Sequence, residues 1–140
     1  MKRILFVCKH NIFRSRVAEE YFNKTNKNKN WKADSAGVIP GDGLSRKQEK
    51  AMSLQRESAM KIGIRIERKP RGLSTGLLRM QDIIVIAADD VPKILFNNRC
   101  YIKKLICWKI KDADNTDKKA IEKTIDLIIK KVNESRERLK

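Results

Sequence analysis

Close to the start of the sequence, Cys8 is followed six residues later by Arg14 and then by Ser15. A loop of this length can curl so that its N–H groups and the guanidinium of Arg14 surround a phosphate. Arginine suits this task because its planar fork binds two oxygens at once. Neighbouring cations and a helix N-terminus would also favour the thiolate form of Cys8, which is the nucleophile. The spacing therefore predicts an anion-binding loop whose sulfur can attack phosphorus and form a phosphocysteine.

The residues around Arg14 complete this predicted loop. Its phosphate-binding part comprises Lys9, His10, Asn11, Ile12, Phe13 and Ser15. We expect the loop amides to bind the anion, and Ser15 to donate a hydrogen bond to the sulfur. An isolated cysteine after an apolar run is more often a buried core residue, but Asn11, Arg14 and Ser15 in register with Cys8 favour the anion-binding loop.

Such a loop needs a strand before it and a helix after it. Residues 4–8 form a continuous apolar run, which is typical of a strand buried on both faces of a parallel sheet. Residues 15–22 have helical periodicity, which predicts that Glu19 and Glu20 face outward. Further predicted strands cover residues 31–35, 82–90 and 101–108, and further helices cover 45–62, 74–80, 92–97 and 117–139. Gly63 is expected to cap the end of one helix, and either Ser74 or Thr75 the start of another.

This alternation predicts an α/β fold, a single three-layer doubly wound domain over residues 1–140 with a four-stranded parallel sheet. In such sheets, ligands bind at the carboxyl ends of the strands, where residue 8 ends the first one. The 140 residues carry a net charge of +16, which favours acidic or phosphate-bearing partners. The odd number of cysteines, three, argues against a disulfide scaffold and for a reducing, cytoplasmic location. The short apolar run near the amino terminus predicts neither a signal peptide nor a membrane span.

Residues 2–22 match most positions of a more specific pattern, V-C-x-G-N-x-C-R-S-x-x-A-E. Its matches are Val7, Cys8, Asn11, Arg14, Ser15, Ala18 and Glu19. The sequence resembles the low-molecular-weight protein tyrosine phosphatases and the arsenate reductases that share their fold. The resemblance continues at DSAG (34–37), ERKPRGLST (67–75), DIIVIAADD (82–90) and WKIKDAD (108–114).

The resemblance implies a low-molecular-weight-phosphatase-like fold and the metal-independent, cofactor-free hydrolysis of phosphomonoesters. It implies that Asp112 is the general acid, which protonates the leaving oxygen and later activates water. It also implies that Ser35 supports the loop through Asn11. The expected substrate is a phosphorylated protein or a small phosphomonoester.

The sequence departs from the family pattern at several positions. The loop glycine is His10, which is expected to strain the loop, narrow its mouth or add a titratable group. The second loop cysteine is Phe13, and Ala113 replaces the proline after the acid. Asp114 competes with Asp112 for the acid role. Because residues 38–43 supply no aromatic wall, phosphotyrosine is not assigned as the substrate.

Other interpretations remain open at this point. Cys100 and Cys107 have the spacing of an arsenate reductase relay, but they bracket a different strand and are expected to be structural. A non-catalytic member of the fold that binds anions or nucleic acid is the rival from another class, and the basic surface suggests weak nucleic-acid binding. Asp89 and Asp90 are interpreted as a helix cap and a surface charge rather than metal ligands.

Overall fold

Four parallel strands form the central sheet of the protein, which is described by a computed structural model. They are β1 (Lys2–Cys8), β2 (Trp31–Gly37), β3 (Ile83–Ile86) and β4 (Leu105–Cys107), in the spatial order β2-β1-β3-β4. The structure describes residues 1–39, 46–66, 69–113 and 117–139, without the side chains of residues 46–48. The predicted four-stranded parallel sheet is confirmed.

Helices cover both faces of this sheet. They are α1 (Arg14–Thr25), α2 (Arg46–Met60), α3 (Thr75–Arg79) and α4 (Lys118–Arg138), together with two 3₁₀ turns, Lys93–Phe96 and Ile102–Lys104. Side chains of β1 alternate between two apolar layers, because successive residues of a strand point to opposite faces. Ile4 and Phe6 pack in the layer that contains Ile121 of α4, whereas Leu5 packs in the layer that contains Phe96. Within the described residues, none of the helices has both the length and the apolar character that crossing a membrane requires.

Helix ends follow the local sequence signals. Ser74 accepts a hydrogen bond from the amide of Leu77 at 3.1 Å, and so caps α3 as predicted. Gly63 has a φ of 77°, the left-handed conformation expected of a glycine just beyond a helix. Asp117 caps α4 through the amides of Lys119 and Ala120.

Three predicted elements are shorter or different in kind. The apolar run at 82–90 is a strand only over Ile83–Ile86, the four residues that pair with β1. The first half of the predicted strand at 101–108 is instead a turn and a 3₁₀ helix, closed by the hydrogen bond from the Lys104 amide to the Tyr101 carbonyl. The predicted helix at 92–97 is also a 3₁₀ turn.

Strand β2 continues past residue 35, the end expected from the sequence. Its last residue, Gly37, donates its amide to the Arg71 carbonyl and accepts from the amide of Leu73. A Cβ on Gly37 would lie 2.7 Å from backbone atoms of His10 and Asn11. Glycine is therefore required where β2 passes the loop that follows β1.

Candidate active site

The candidate site lies at the carboxyl end of β1, where the loop of residues 9–13 leads into α1. Strand β1 lies between β2 and β3 in the sheet. The chain passes from β1 to β2 on one side and then crosses to β3 on the other, so the loop after β1 lies at the switch point of the sheet. Four residues at this site are at most 3% exposed, namely Cys8, Asn11, Arg14 and Ser15. The predicted loop residues are thus gathered around a buried sulfur at a helix N-terminus.

Two hydrogen bonds reach the sulfur of Cys8. Ser15 Oγ lies 2.9 Å from Cys8 Sγ, and the amide of Asn11 donates to the same sulfur at 3.3 Å. Asn11 Nδ2 donates to Ser15 Oγ at 2.8 Å, which leaves the Ser15 hydroxyl hydrogen available for the sulfur. The sulfur of Cys8 thus lies next to two hydrogen-bond donors, a backbone amide and a hydroxyl.

Asn11 connects the loop to β2 and to the segment that contains Arg71. Its φ of 56° is left-handed, a conformation that asparagine tolerates better than most residues. Asn11 Nδ2 also donates to Ser35 Oγ at 2.9 Å, and Asn11 Oδ1 accepts from the Arg71 amide at 2.8 Å. The structure therefore brings Ser35 to Asn11, as expected, and adds a backbone contact that sequence reasoning missed.

Glu19 was expected to face outward, and that prediction is wrong. Glu19 is only 7% exposed. Its carboxylate accepts a hydrogen bond from Ser35 Oγ and lies 3.8 Å from Arg16 Nε. Residues 14–19 of α1 are all buried, so the first half of this helix has no solvent face. Helical periodicity failed here because it assumes that one side of the helix meets water.

The guanidinium of Arg14 is held by groups from two distant segments. Arg14 Nη1 donates to the Ile110 carbonyl at 2.9 Å, and Arg14 Nη2 donates to both carboxylate oxygens of Asp90 at 2.9 and 3.1 Å. Burial alone would lower the pKa of Arg14, but the hydrogen bond to Asp90 and the charges of Asp112, Cys8 and Asp90 outweigh it and raise that pKa. Arg14 therefore stays charged at any pH the folded protein meets.

Asp90 is more than the surface charge predicted for it, because it binds the buried Arg14. Asp89 lies further away, at 3.6 Å from Arg14 Nη1, and the 3₁₀ turn after these residues is preceded by Pro92 without a side-chain cap. Across the ranges that the structure describes, no three His, Cys, Asp or Glu side chains are grouped as a metal site would need. The sequence held one indication of this contact: Asp90 follows β3, the strand next to β1, and so lies at the same edge of the sheet as the loop after β1.

Asp112 and Arg14 both line a cavity of about 250 Å³. Asp112 Oδ1 lies 3.8 Å from Arg14 Nε, and the Asp112 side chain is 31% exposed. Cys8 and Arg14 line the same cavity, so the three predicted catalytic residues meet in one place. The remaining lining residues are Lys9, His10, Ile12, Phe13, Ala51, Met52, Gln55 and Asp90. Asp114, the alternative acid, lies outside the described residues.

His10 occupies the mouth of this cavity without left-handed strain. Among the residues described, positive φ at non-glycine positions is confined to Asn11 and Lys109. The ring Nδ1 of His10 lies 2.9 Å from the Ile39 carbonyl, while the Ile39 amide donates to the Lys9 carbonyl at 2.8 Å. The imidazole, which also lines the cavity, is thus attached to the segment after β2.

The other two cysteines lie away from Cys8. Cys100 is exposed, and Cys107 is half-buried at the end of β4. Cys107 lines a separate cavity of about 420 Å³ with Lys93 and Ile94. Neither lines the cavity that contains Cys8.

Comparison with known protein families identifies one that matches almost the whole chain. The profile of the low molecular weight phosphotyrosine protein phosphatase family matches residues 3–140. No curated protein sequence matches the chain.

Several solved structures share the fold at low sequence identity. A low molecular weight protein tyrosine phosphatase from T. tengcongensis is similar with 23% identity, a TM-score of 0.75 and 99% of each chain covered. An arginine phosphatase from Geobacillus stearothermophilus has 18% identity and a TM-score of 0.78, covering 99% of this chain and 93% of that one. An arsenate reductase in the phosphate binding state has 17% identity and a TM-score of 0.77, with all of both chains covered. The predicted family resemblance and fold class are confirmed.

Proposed function

The chain belongs to the low molecular weight phosphotyrosine protein phosphatase family, and we propose that residues 1–140 act as one domain that hydrolyses phosphomonoesters through a phosphocysteine on Cys8. The observation that carries this proposal is the meeting of Cys8, Arg14 and Asp112 in one cavity. A nucleophile, a fixed cation and a carboxyl group are the parts that the reaction needs.

The substrate phosphate binds in the loop above the sulfur. The amides at the start of α1 have no acceptors within the helix, and the helix dipole adds positive potential at the same point. We assign the amides of residues 9–15 other than that of Asn11, together with the guanidinium of Arg14, to the phosphate oxygens. Because Arg14 is already buried and held by Ile110 and Asp90, little reorganisation is needed when charge develops in the transition state.

The first chemical step transfers the phosphoryl group to the enzyme. The thiolate of Cys8 attacks phosphorus, so a sulfur–phosphorus bond forms while the bond from phosphorus to the ester oxygen breaks. The protonated carboxyl of Asp112 gives its proton to the departing oxygen, and an alcohol or phenol leaves.

The second step returns the enzyme to its starting state. The Asp112 carboxylate takes a proton from a water molecule, whose oxygen attacks phosphorus and displaces the sulfur. Cys8 leaves as a thiolate that Ser15 and the Asn11 amide stabilise by hydrogen bonds. Inorganic phosphate is released, and Asp112 is again protonated.

We propose a phosphorylated protein or a small phosphomonoester as the substrate class. The group attached to the phosphate would lie against Ile12, Phe13, Ala51 and Met52, which give the cavity an apolar wall. The net charge of +16 would attract phosphorylated substrates in general. Weak nucleic-acid binding and a cytoplasmic location stay predictions, the first tested by the salt dependence of RNA binding.

Hydrolysis is favoured over arsenate reduction by the positions of the thiols. A redox relay needs a second thiol that reaches the first, but Cys107 lines a different cavity and Cys100 is exposed. A thiol-dependent arsenate reduction assay on Cys100→Ser and Cys107→Ser separates the two activities.

The direct test is the hydrolysis of an aryl phosphate by the wild type and by Cys8→Ser. Replacing the nucleophile is expected to lower kcat by roughly 10⁴-fold or more, whereas Cys107→Ser, a matched control outside the cavity, keeps the wild-type rate. Equal rates for the wild type and Cys8→Ser would end the proposal.

A further inference from the structure

A buried glutamine on α2 contacts the segment that contains the proposed acid. Gln55 is 4% exposed, and its Nε2 donates to the carbonyl oxygen of Ala113 at 2.7 Å. Ala113, itself 2% exposed, directly follows Asp112. The side chain of Gln55 also lines the cavity that contains Cys8 and Asp112. This hydrogen bond joins residues 58 apart in the sequence.

The backbone on the other side of Asp112 is held as well. The carbonyl of Ile110 accepts from Arg14 Nη1 at 2.9 Å and from the Asp89 amide at 3.0 Å. Asp112 therefore sits between two anchored carbonyls, one two residues before it and one directly after it. Its own side chain is 31% exposed, so packing alone holds it less firmly than it holds the buried Cys8.

We propose that Gln55 is a positioning residue for Asp112, because its hydrogen bond to Ala113 keeps the Asp112 carboxyl over the cavity where the leaving oxygen of the substrate is protonated. This inference rests on the proposed function. A general acid acts only within hydrogen-bond reach of the oxygen it protonates, so a small displacement of the segment reduces proton transfer. Gln55 itself exchanges no proton with the substrate.

The chemistry of the leaving group distinguishes positioning from general structural support. A phenolate is a poor leaving group and needs the proton of Asp112, whereas 2,4-dinitrophenolate leaves without it. Gln55→Met keeps the length of the side chain and removes the donor. We expect it to lower kcat/KM for phenyl phosphate by about tenfold, part of the 10²- to 10⁴-fold that a general acid supplies, and for 2,4-dinitrophenyl phosphate by less than about twofold.

Two further variants connect this effect to Asp112 and guard against misfolding. Asp112→Asn should show the same selectivity with a larger loss, and adding Gln55→Met to it should cost nothing more, because both changes remove one function. Gln55→Asn keeps the amide but shortens the side chain beyond reach of Ala113, and it should reproduce the selective loss if Gln55→Met is unstable.

Gln81 offers a matched control. It is 3% exposed, and its Nε2 donates to the Leu77 carbonyl at 3.0 Å, outside the cavity. Gln81→Met should lose stability in thermal unfolding, as Gln55→Met does, yet keep the ratio of the two kcat/KM values.

Equal losses on both substrates for Gln55→Met, or no loss, would overturn the inference while leaving the proposed function in place. A selective loss for Gln55→Met without one for Asp112→Asn would also overturn it, and a wild type without turnover would overturn both.

Discussion

The candidate site has a sulfur side, made of Cys8 and its neighbours Asn11, Arg14 and Ser15, and an acid side, made of Asp89, Asp90 and Asp112. The residues of the sulfur side are at most 3% exposed and lie within eight positions of the sequence. The side chains of the acid side are 31–41% exposed and come from two segments that follow β3 and β4. The sulfur side is thus built locally and shielded from water, whereas the acid side depends on contacts across the fold.

This difference indicates a division of labour. Hydrogen bonds are strongest where water is excluded, so the buried sulfur side is suited to holding an anion and a thiolate. In the proposed reaction Asp112 gives and takes protons, and its partial exposure provides the access to water that this role needs. Changes on the sulfur side should therefore affect every substrate alike, and changes on the acid side should depend on the leaving group.

Among changes on the sulfur side, Arg14→Lys should lower kcat most after replacement of the nucleophile Cys8 itself. Lysine lacks the fork that contacts Ile110 and Asp90 together, so we expect kcat to fall by about 10³-fold for phenyl and 2,4-dinitrophenyl phosphate alike. Steady-state kinetics with both substrates measure this. A loss confined to the poorer leaving group would move Arg14 to the acid side of the comparison.

Asp112→Asn should lower kcat/KM for phenyl phosphate by about 10²-fold and spare the dinitrophenyl ester. The fall in kcat/KM towards alkaline pH that comes from deprotonation of the general acid should disappear at the same time. Asp114→Asn is the control, and we expect it to change neither quantity by more than about twofold. If Asp114→Asn gave the selective loss instead, the acid would be Asp114.

Ser35→Ala should have the smallest effect on rate and a clear effect on stability. It removes an acceptor of Asn11 and a donor to the buried Glu19, which we expect to cost about 1–3 kcal/mol in the free energy of unfolding. Urea unfolding measures this cost, and kcat should fall by less than about tenfold, since the groups that contact the phosphate remain. His10→Ala, at the mouth of the cavity, should leave the unfolding free energy within about 0.5 kcal/mol of the wild type. Similar stability losses for both variants would contradict the support role of Ser35.

The same division explains what could be predicted from the sequence. The order of Cys8, Asn11, Arg14 and Ser15, and the apolar runs of the strands, are local patterns, and the structure brings those residues together as expected. The pairing of Arg14 with Asp90 joins positions 76 apart, and no local pattern specifies it. The contact of Gln55 with Ala113 was missed for the same reason, because it depends on how α2 packs against the segment before α4.

The prediction of secondary structure failed where contacts with distant residues override the local sequence pattern. The branched and aromatic side chains at Tyr101 and Ile102 suit a strand, but the structure forms a 3₁₀ turn there, with Lys104 Nζ donating to the carbonyls of Leu78 and Gln81. Glu19 was misplaced because its helix is buried all round at its start. In each case the deciding partners lie far away in the sequence.

The most direct test of the central claim is chemical detection of the phosphorylated enzyme. Acid quenching during turnover of an aryl phosphate, followed by mass spectrometry of the peptide that contains Cys8, should find one phosphoryl group on that sulfur, and none in Cys8→Ala. Turnover at the wild-type rate with no phosphoryl group on Cys8, or with the group on another residue, would contradict the account.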